Sequence, residues 1–165
     1  MTAITRTADF WKGGPVTTPA PDEDEVARRS AAHMWDADAA SRALGMRLVA
    51  AGPGTATVSM VVREDMVNGW DVCHGGVVAT LADSCFAVAC NSRGTVTVAS
   101  GFDVSFLESA RLGEELVAVG REVALRGRSG LYDVEVRRAD GTLVAAFRGR
   151  SRSLGTPNPA LPSPT

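Results

Sequence analysis

Hydrophobic positions change their period several times along this chain, and each change marks an element. Val26, Ser30, His33, Met34 and Ala37 recur at helical spacing behind the acidic run Asp22-Glu23-Asp24-Glu25. The helix macrodipole favours negative charge at its start, so a helix is expected from there to about Asp38 or Ala40. A short turn over 41–45 follows. The period then falls to two. Residues 47–51 and 55–62 read as strands around Gly52-Pro53-Gly54, with Thr55, Thr57, Ser59 and Val61 alternating against Ala56, Val58, Met60 and Val62. Residues 63–73, punctuated by Asn68-Gly69, keep no period and read as a loop.

The stretch 75–92, GGVVATLADSCFAVACNS, is apolar or small on every side, and Asp83 is its one ionisable group besides two cysteines. A helix that is apolar all round is expected to be buried. Its length approaches that of a membrane span, but the Gly-Gly start, Asp83, Ser84 and Asn91 argue against one. Arg93-Gly94 ends it. Beyond it, 96–106, 115–125, 131–138 and 143–152 read as strands. The connections Arg126-Gly127-Arg128-Ser129-Gly130 and Ala139-Asp140-Gly141 carry hairpin chemistry. The expected fold class is α+β, a curved antiparallel sheet wrapped around a long central helix. One sheet face covers that helix; the other needs a second subunit or the N-terminal helix. The domain is expected over 22–153. A mobile extension containing Phe10 and Trp11 precedes it over 1–21, and a Pro-rich disordered tail follows over 154–165.

Composition narrows the function. With 165 residues and 45% apolar content the chain can bury one sizeable core. A net charge of −2 gives no reason to expect nucleic acid or an anionic membrane as partner. The N-terminus lacks the basic, apolar and small-residue succession of a secretory signal. The odd cysteine count of three disfavours a disulfide framework and fits a reducing cytoplasm. Cys73, Cys85 and Cys90 lie near His74, but not at the spacing of paired zinc motifs, so neither a metal nor a resident cofactor is expected. The thiols read as small buried apolar groups, and His33 as an ordinary helix histidine. No nucleophile-elbow GxSxG, P-loop or dinucleotide fingerprint occurs.

The chemistry gathers at Asn68-Gly69-Trp70-Asp71-Val72-Cys73-His74-Gly75-Gly76. Glycines at a helix N-terminus let a ligand reach free backbone N–H groups, where the dipole favours developing negative charge. Such a site serves as an oxyanion hole in acyl transfer, although two glycines also permit a tight loop-to-helix turn. Asp83 is a carboxylate in low dielectric, where ionisation is costly without support. Arg148, Arg150 and Arg152 alternate along the last strand and share one face. They could bind phosphates or form a solvated edge, with Arg93, Arg126 and Arg128 as alternatives.

The succession NG…CHGG…LADS.FA.ACNS…VAS…FL…Y.VEV…FRGRS, from about Ala39 to Ser153, resembles the hotdog-fold acyl-CoA thioesterases of the phenylacetate-pathway (PaaI) type. The resemblance implies that Asp83 is the catalytic carboxylate, as general base on water or as nucleophile. It implies that the Gly75 N–H polarises the thioester carbonyl, with His74 just before it and Gly76 just after, and that Asn68 orients water or substrate. It also implies an acyl-CoA substrate with a small aryl group such as phenylacetyl. The chain departs from the family at Ser105-Phe106-Leu107-Glu108-Ser109-Ala110, where relatives often carry an acidic residue and then Arg or Ala before Pro. Two rivals share the fold: a hydratase-dehydratase of acyl-CoA or acyl-carrier-protein substrates, and a non-catalytic acyl-CoA-binding regulatory module.

Spacing adds a constraint of its own. Gly75 and Asp83 are eight residues apart, about 12 Å along a helix. An oxyanion donor and a base must serve one carbonyl, each within about 3 Å of its atom. One helix cannot do this. A homodimer with shared active sites is expected, its two central helices antiparallel. A dimer of dimers is a further expectation, on which this spacing has no bearing.

Overall fold

The computed structural model describes residues 22–161; the extension with Phe10 and Trp11, and 162–165, lie outside the described residues. Helix α1, Glu23–Ala37, begins where the acidic run predicts, with the Asp22 carboxylate accepting from Glu25 N–H at 2.7 Å. Its end differs from a simple turn. Asp38 stops α1 and caps a further short helix, α2 (Ala39–Ala43), by accepting from Ser41 N–H at 3.0 Å and Ser41 Oγ at 2.6 Å. Strands β1 (Arg47–Gly52) and β2 (Thr55–Val61) are followed by a 3-10 turn at Glu64–Met66, the long helix α3 (Gly75–Asn91), and strands β3 (Thr95–Phe106), β4 (Glu115–Arg126), β5 (Ser129–Arg138) and β6 (Leu143–Pro157). They form one antiparallel sheet in the order β1-β2-β4-β5-β6-β3.

Strand β6 outruns its expected end at Arg152. Thr95 at the start of β3 pairs with Pro157, and Asn158 is buried with its N–H on Gly94 O at 2.9 Å. Residues 154–157, expected in the tail, are therefore strand. Proline is tolerated there because the ladder ends at that pair.

Helix α3 lies in the concave face of the sheet. Leu81, Cys85, Phe86, Val88 and Ala89 pack against inward residues of the strands, among them Val58, Met60, Leu116, Ala118, Val134, Val136 and Phe147. The alternation along β4 places Leu116, Ala118 and Gly120 inward. Phe86 meets Tyr132 edge-on at 5.5 Å and Phe147 at 5.8 Å between ring centroids. Helix α3 is not enclosed on every side, as its composition suggested. Gly76 is exposed, and Ala79, Thr80, Asp83 and Ala87 are half-exposed, forming one stripe at helical spacing. The sheet curls around the opposite side only.

Helix α1 packs on β1 and α3, so it does not cover the convex face. That face carries a band of charges, beside exposed Val61 and Val119. Arg121, Asp133, Arg148 and Asp103 stand in register across β4, β5, β6 and β3, and Asp133 takes Arg148 at 2.7 Å and Arg121 at 3.3 Å. No helix among the described residues is long and apolar enough to cross a membrane.

Gly149 of β6 leaves room for the ring of Phe86 on α3. A Cβ there would sit 2.7–2.9 Å from three ring atoms of buried Phe86. Overpacking of this kind costs about 1–3 kcal/mol. Gly149→Ala is expected to lower the urea midpoint by that equivalent at unchanged slope; an unchanged midpoint would show that the ring has room to move.

Candidate active site

The chain enters α3 through a tight hairpin. Val67 and Cys73 form an isolated antiparallel bridge. Inside it, Asn68 N–H donates to Val72 O at 2.8 Å, Asp71 N–H to Asn68 O at 3.1 Å, and Trp70 N–H to the Asn68 side-chain oxygen at 2.9 Å. This is the asparagine-turn chemistry expected of Asn-Gly. Asp71, at φ 56°, is the one non-glycine residue with positive φ among those described. Asn68 is thus a member of the site's loop and also the side chain that shapes it.

His74 caps α3, its Nδ1 accepting from Gly76 N–H at 2.9 Å. With Nδ1 as acceptor, the neutral ring carries its hydrogen on exposed Nε2. The two glycines are consequently unequal. Gly76 N–H is occupied by the imidazole, whereas Gly75 N–H has no partner among the described residues. Gly75 also abuts Phe106, whose Cζ would lie 3.1 Å from an added Cβ. Beside it opens a cavity of about 230 Å³, with Val72, Cys73, Val78, Phe106, Ala110 and Val144 as its apolar lining. Phe106 and Val144 were not singled out by sequence as site residues, because nothing local marks which strand ends meet a helix terminus.

Asp83 lies about two turns further along α3, on the uncovered stripe. Its Oδ1 is buried without a hydrogen-bond partner among the described residues, and burial pushes the carboxyl above the usual aspartate range. No cation offsets that shift. Gly75 and Asp83 occupy one helix, so one protomer does not bring them to a common atom.

The arginines of β6 divide. Arg148 and Arg150 lie on the convex face, held by Asp133 and Asp103. Arg152 makes no ion pair among the described residues and bonds Ser129 Oγ at 3.2 Å. Arg126, paired in register with Ser129, is likewise without a carboxylate, and Arg128 donates from Nε to Ser153 O at 2.7 Å. Arg93 is held by Glu122 at 2.9 Å, and this contact keeps the Glu122 carboxyl below its usual range. These three arginines, without ion pairs among the described residues, gather at the β4–β5 hairpin, beyond the C-terminal end of α3.

All three thiols are free and buried. Burial pushes Cys73 up to about 11 and Cys85 and Cys90 up to about 12, which leaves them protonated at neutral pH. No group of three His, Cys, Asp or Glu among the described residues stands where it could hold a metal ion.

In sequence and fold the chain is similar to known proteins. The model of the thioesterase superfamily matches residues 71–145. The acyl-coenzyme A thioesterase PaaI of Escherichia coli is 38% identical over 122 residues, covering 74% of this chain and 87% of its own. Human acyl-coenzyme A thioesterase 13 is 32% identical over 118 residues, 69% of this chain and 84% of its own. The structure of the E. coli PaaI protein superposes with a TM-score of 0.81 at 36% identity, covering 82% of this chain and 99% of that one. A Streptococcus mutans protein bound to acetyl CoA gives 0.66 at 25% identity, covering 68% and 90%. This chain belongs to the hotdog-fold acyl-CoA thioesterases of the PaaI type and is a thioester hydrolase.

Proposed function

We propose that the protein hydrolyses the thioester of a small aryl or related acyl-CoA, phenylacetyl-CoA being the type, to the free acid and CoA. The observation that carries this reading is the unengaged Gly75 N–H opening onto an apolar cavity of about 230 Å³. Ligand pockets commonly measure about 300–1,000 Å³, so this one suits a compact acyl group better than a long chain. The E. coli relative, from the phenylacetic acid degradation operon, supports the same class. Gly75 N–H stabilises the oxyanion as water adds to the carbonyl. Asp83 takes the proton from that water and returns it to the sulfur as the C–S bond breaks. His74 holds the helix start, and Asn68 fixes the loop that presents Gly75. The nucleotide phosphates fall to Arg152 with Arg126 and Arg128, because Arg148 and Arg150 already have carboxylate partners.

The site is completed by a second copy. Two features favour this beyond the length of α3. Strand β3 is an edge strand of 12 residues, and Phe102 and Phe106 on its concave side remain 43% and 52% exposed. The bare stripe of α3 carries small residues that let another helix come close, and it includes Asp83. Two-fold pairing then sets Gly75 of one protomer against Asp83 of its partner.

Three outcomes are expected. Liberated thiol measured over a panel of acyl-CoAs should give phenylacetyl-CoA a higher kcat/KM than palmitoyl-CoA, and the reverse order would overturn the substrate class. Asp83→Asn should lower turnover at least ~100-fold while the protein stays folded. Because the folded carboxyl titrates above its unfolded value, its ionised form costs stability as pH rises through the folded value. The variant should therefore melt above wild type at pH 7, with the gap closing below the unfolded value of about 3.9. Full turnover in the variant would remove Asp83 from the mechanism. In the third experiment, inactive Asp83→Ala and defective Asn68→Ala chains are refolded together. Each mixed dimer should recover up to about half the wild-type activity, since one site is then intact. Verified subunit exchange without recovery sinks the shared site.

A further inference from the structure

The cavity beside Gly75 carries a charge that hydrolysis does not use. Besides its apolar walls it is lined by Glu108 and Ser109, and it contains no cation. Glu108 lies two residues beyond the end of β3, and it makes no ion pair among the described residues. The segment is firmly held. Leu107 and Glu108 N–H groups both point at Val144 O, at 2.8 and 3.3 Å, and Ala110 O accepts from Cys73 N–H at 2.7 Å. Arg111, three residues on, makes no ion pair with Glu108 among the described residues, and Arg138 donates to Ser109 O at 3.2 Å. Arg138 is already committed to Glu114 at 3.7 Å and Asp140 at 3.6 Å. A rigid backbone thus presents an uncompensated negative charge at an otherwise apolar cavity.

We propose that Glu108 is a specificity-determining residue that excludes acyl groups bearing a distal carboxylate and admits neutral ones of the same size. The inference rests on the reading that this cavity receives the acyl group. An acyl carboxylate within about 5 Å of Glu108 meets like charge across a boundary whose effective dielectric lies between roughly 20 and 80. Repulsion there changes binding by roughly four-fold at the watery limit and a few hundred-fold at the protein limit. A neutral chain end meets apolar wall and suffers no such penalty. Discrimination through an unpaired charge is a recognised route to specificity, because it acts on the wrong substrate and spares the right one.

The test compares butyryl-CoA with succinyl-CoA, which match in length and differ in the terminal carboxylate. The ratio of their kcat/KM values is read in wild type and in Glu108→Gln, an exposed position where the change leaves the core untouched. The expected result is a fall in the butyryl-to-succinyl ratio of at least about four-fold in the variant. In wild type the ratio should also shrink as salt is raised. An unchanged ratio overturns the proposal, including the case in which both substrates improve equally, which would place Glu108 against the CoA phosphates instead. Ser109→Phe separates this from the underlying reading. A loss larger for phenylacetyl-CoA than for acetyl-CoA, with an unchanged ratio in Glu108→Gln, overturns the role of Glu108 and keeps the acyl cavity. Equal losses for both acyl groups overturn the cavity reading and the proposal together.

Discussion

One straight helix cannot bend back on itself, and the arrangement of this protein follows from that constraint. Helix α3 carries a free N–H at its first residue and an unsupported carboxylate about two turns later, and these two groups cannot meet within one chain. The fold has to hold such a helix firmly on one side and leave the other side open. Packing on the held side is dense: Phe86 fills the space that Gly149 leaves, and the Cys85 thiol reaches the carbonyls of Ala56 and Ala118 at 3.4 and 3.5 Å. The open side carries the stripe Gly76, Ala79, Thr80, Asp83 and Ala87, with no bulky side chain among them. In the proposed assembly that bare stripe is what a second helix approaches.

The charges are sorted by the same geometry. On the convex face, aspartates alternate with arginines across four strands and largely satisfy one another, so Arg148 and Arg150 are committed to the sheet. At the far end of α3 the hairpin turn interrupts that alternation, and Arg126, Arg128 and Arg152 are left without carboxylates. Near Gly75 the balance inverts, since the one charged side chain lining the cavity is Glu108. A substrate with an anionic nucleotide and a neutral acyl group would find each end in a fitting environment. Surface ion pairs contribute little to stability individually. Their consequence here is to decide which arginines remain available.

Local chemistry also does double duty at the helix start. Asn68 and His74 each place a hydrogen bond into the loop or the cap, which keeps Gly75 N–H directed outward with no acceptor of its own. A side chain that builds the loop and one that touches substrate look identical in sequence, because both require the same residue at the same place. The free state of Gly75 N–H, against the occupied state of Gly76 N–H, emerges only when the imidazole is seen to turn back on the second glycine.

Periodicity by itself determined the six strands, the central helix and their antiparallel connectivity, because burial imposes a two-residue rhythm on one and all-round apolarity on the other. The proposed second subunit follows from rise per residue once Gly75 and Asp83 are given their roles. Three matters required the tertiary structure. The extension of β6 to Pro157 depends on Thr95 needing a partner 62 residues away, which no local signal announces. The bareness of one side of α3 depends on how far the sheet curls, since small residues suit an enclosed helix and an open stripe equally. The division of the arginines depends on which aspartates stand opposite them across the sheet. Sequence states what each side chain prefers, and only the register of strands distant in the chain decides which preference is already met.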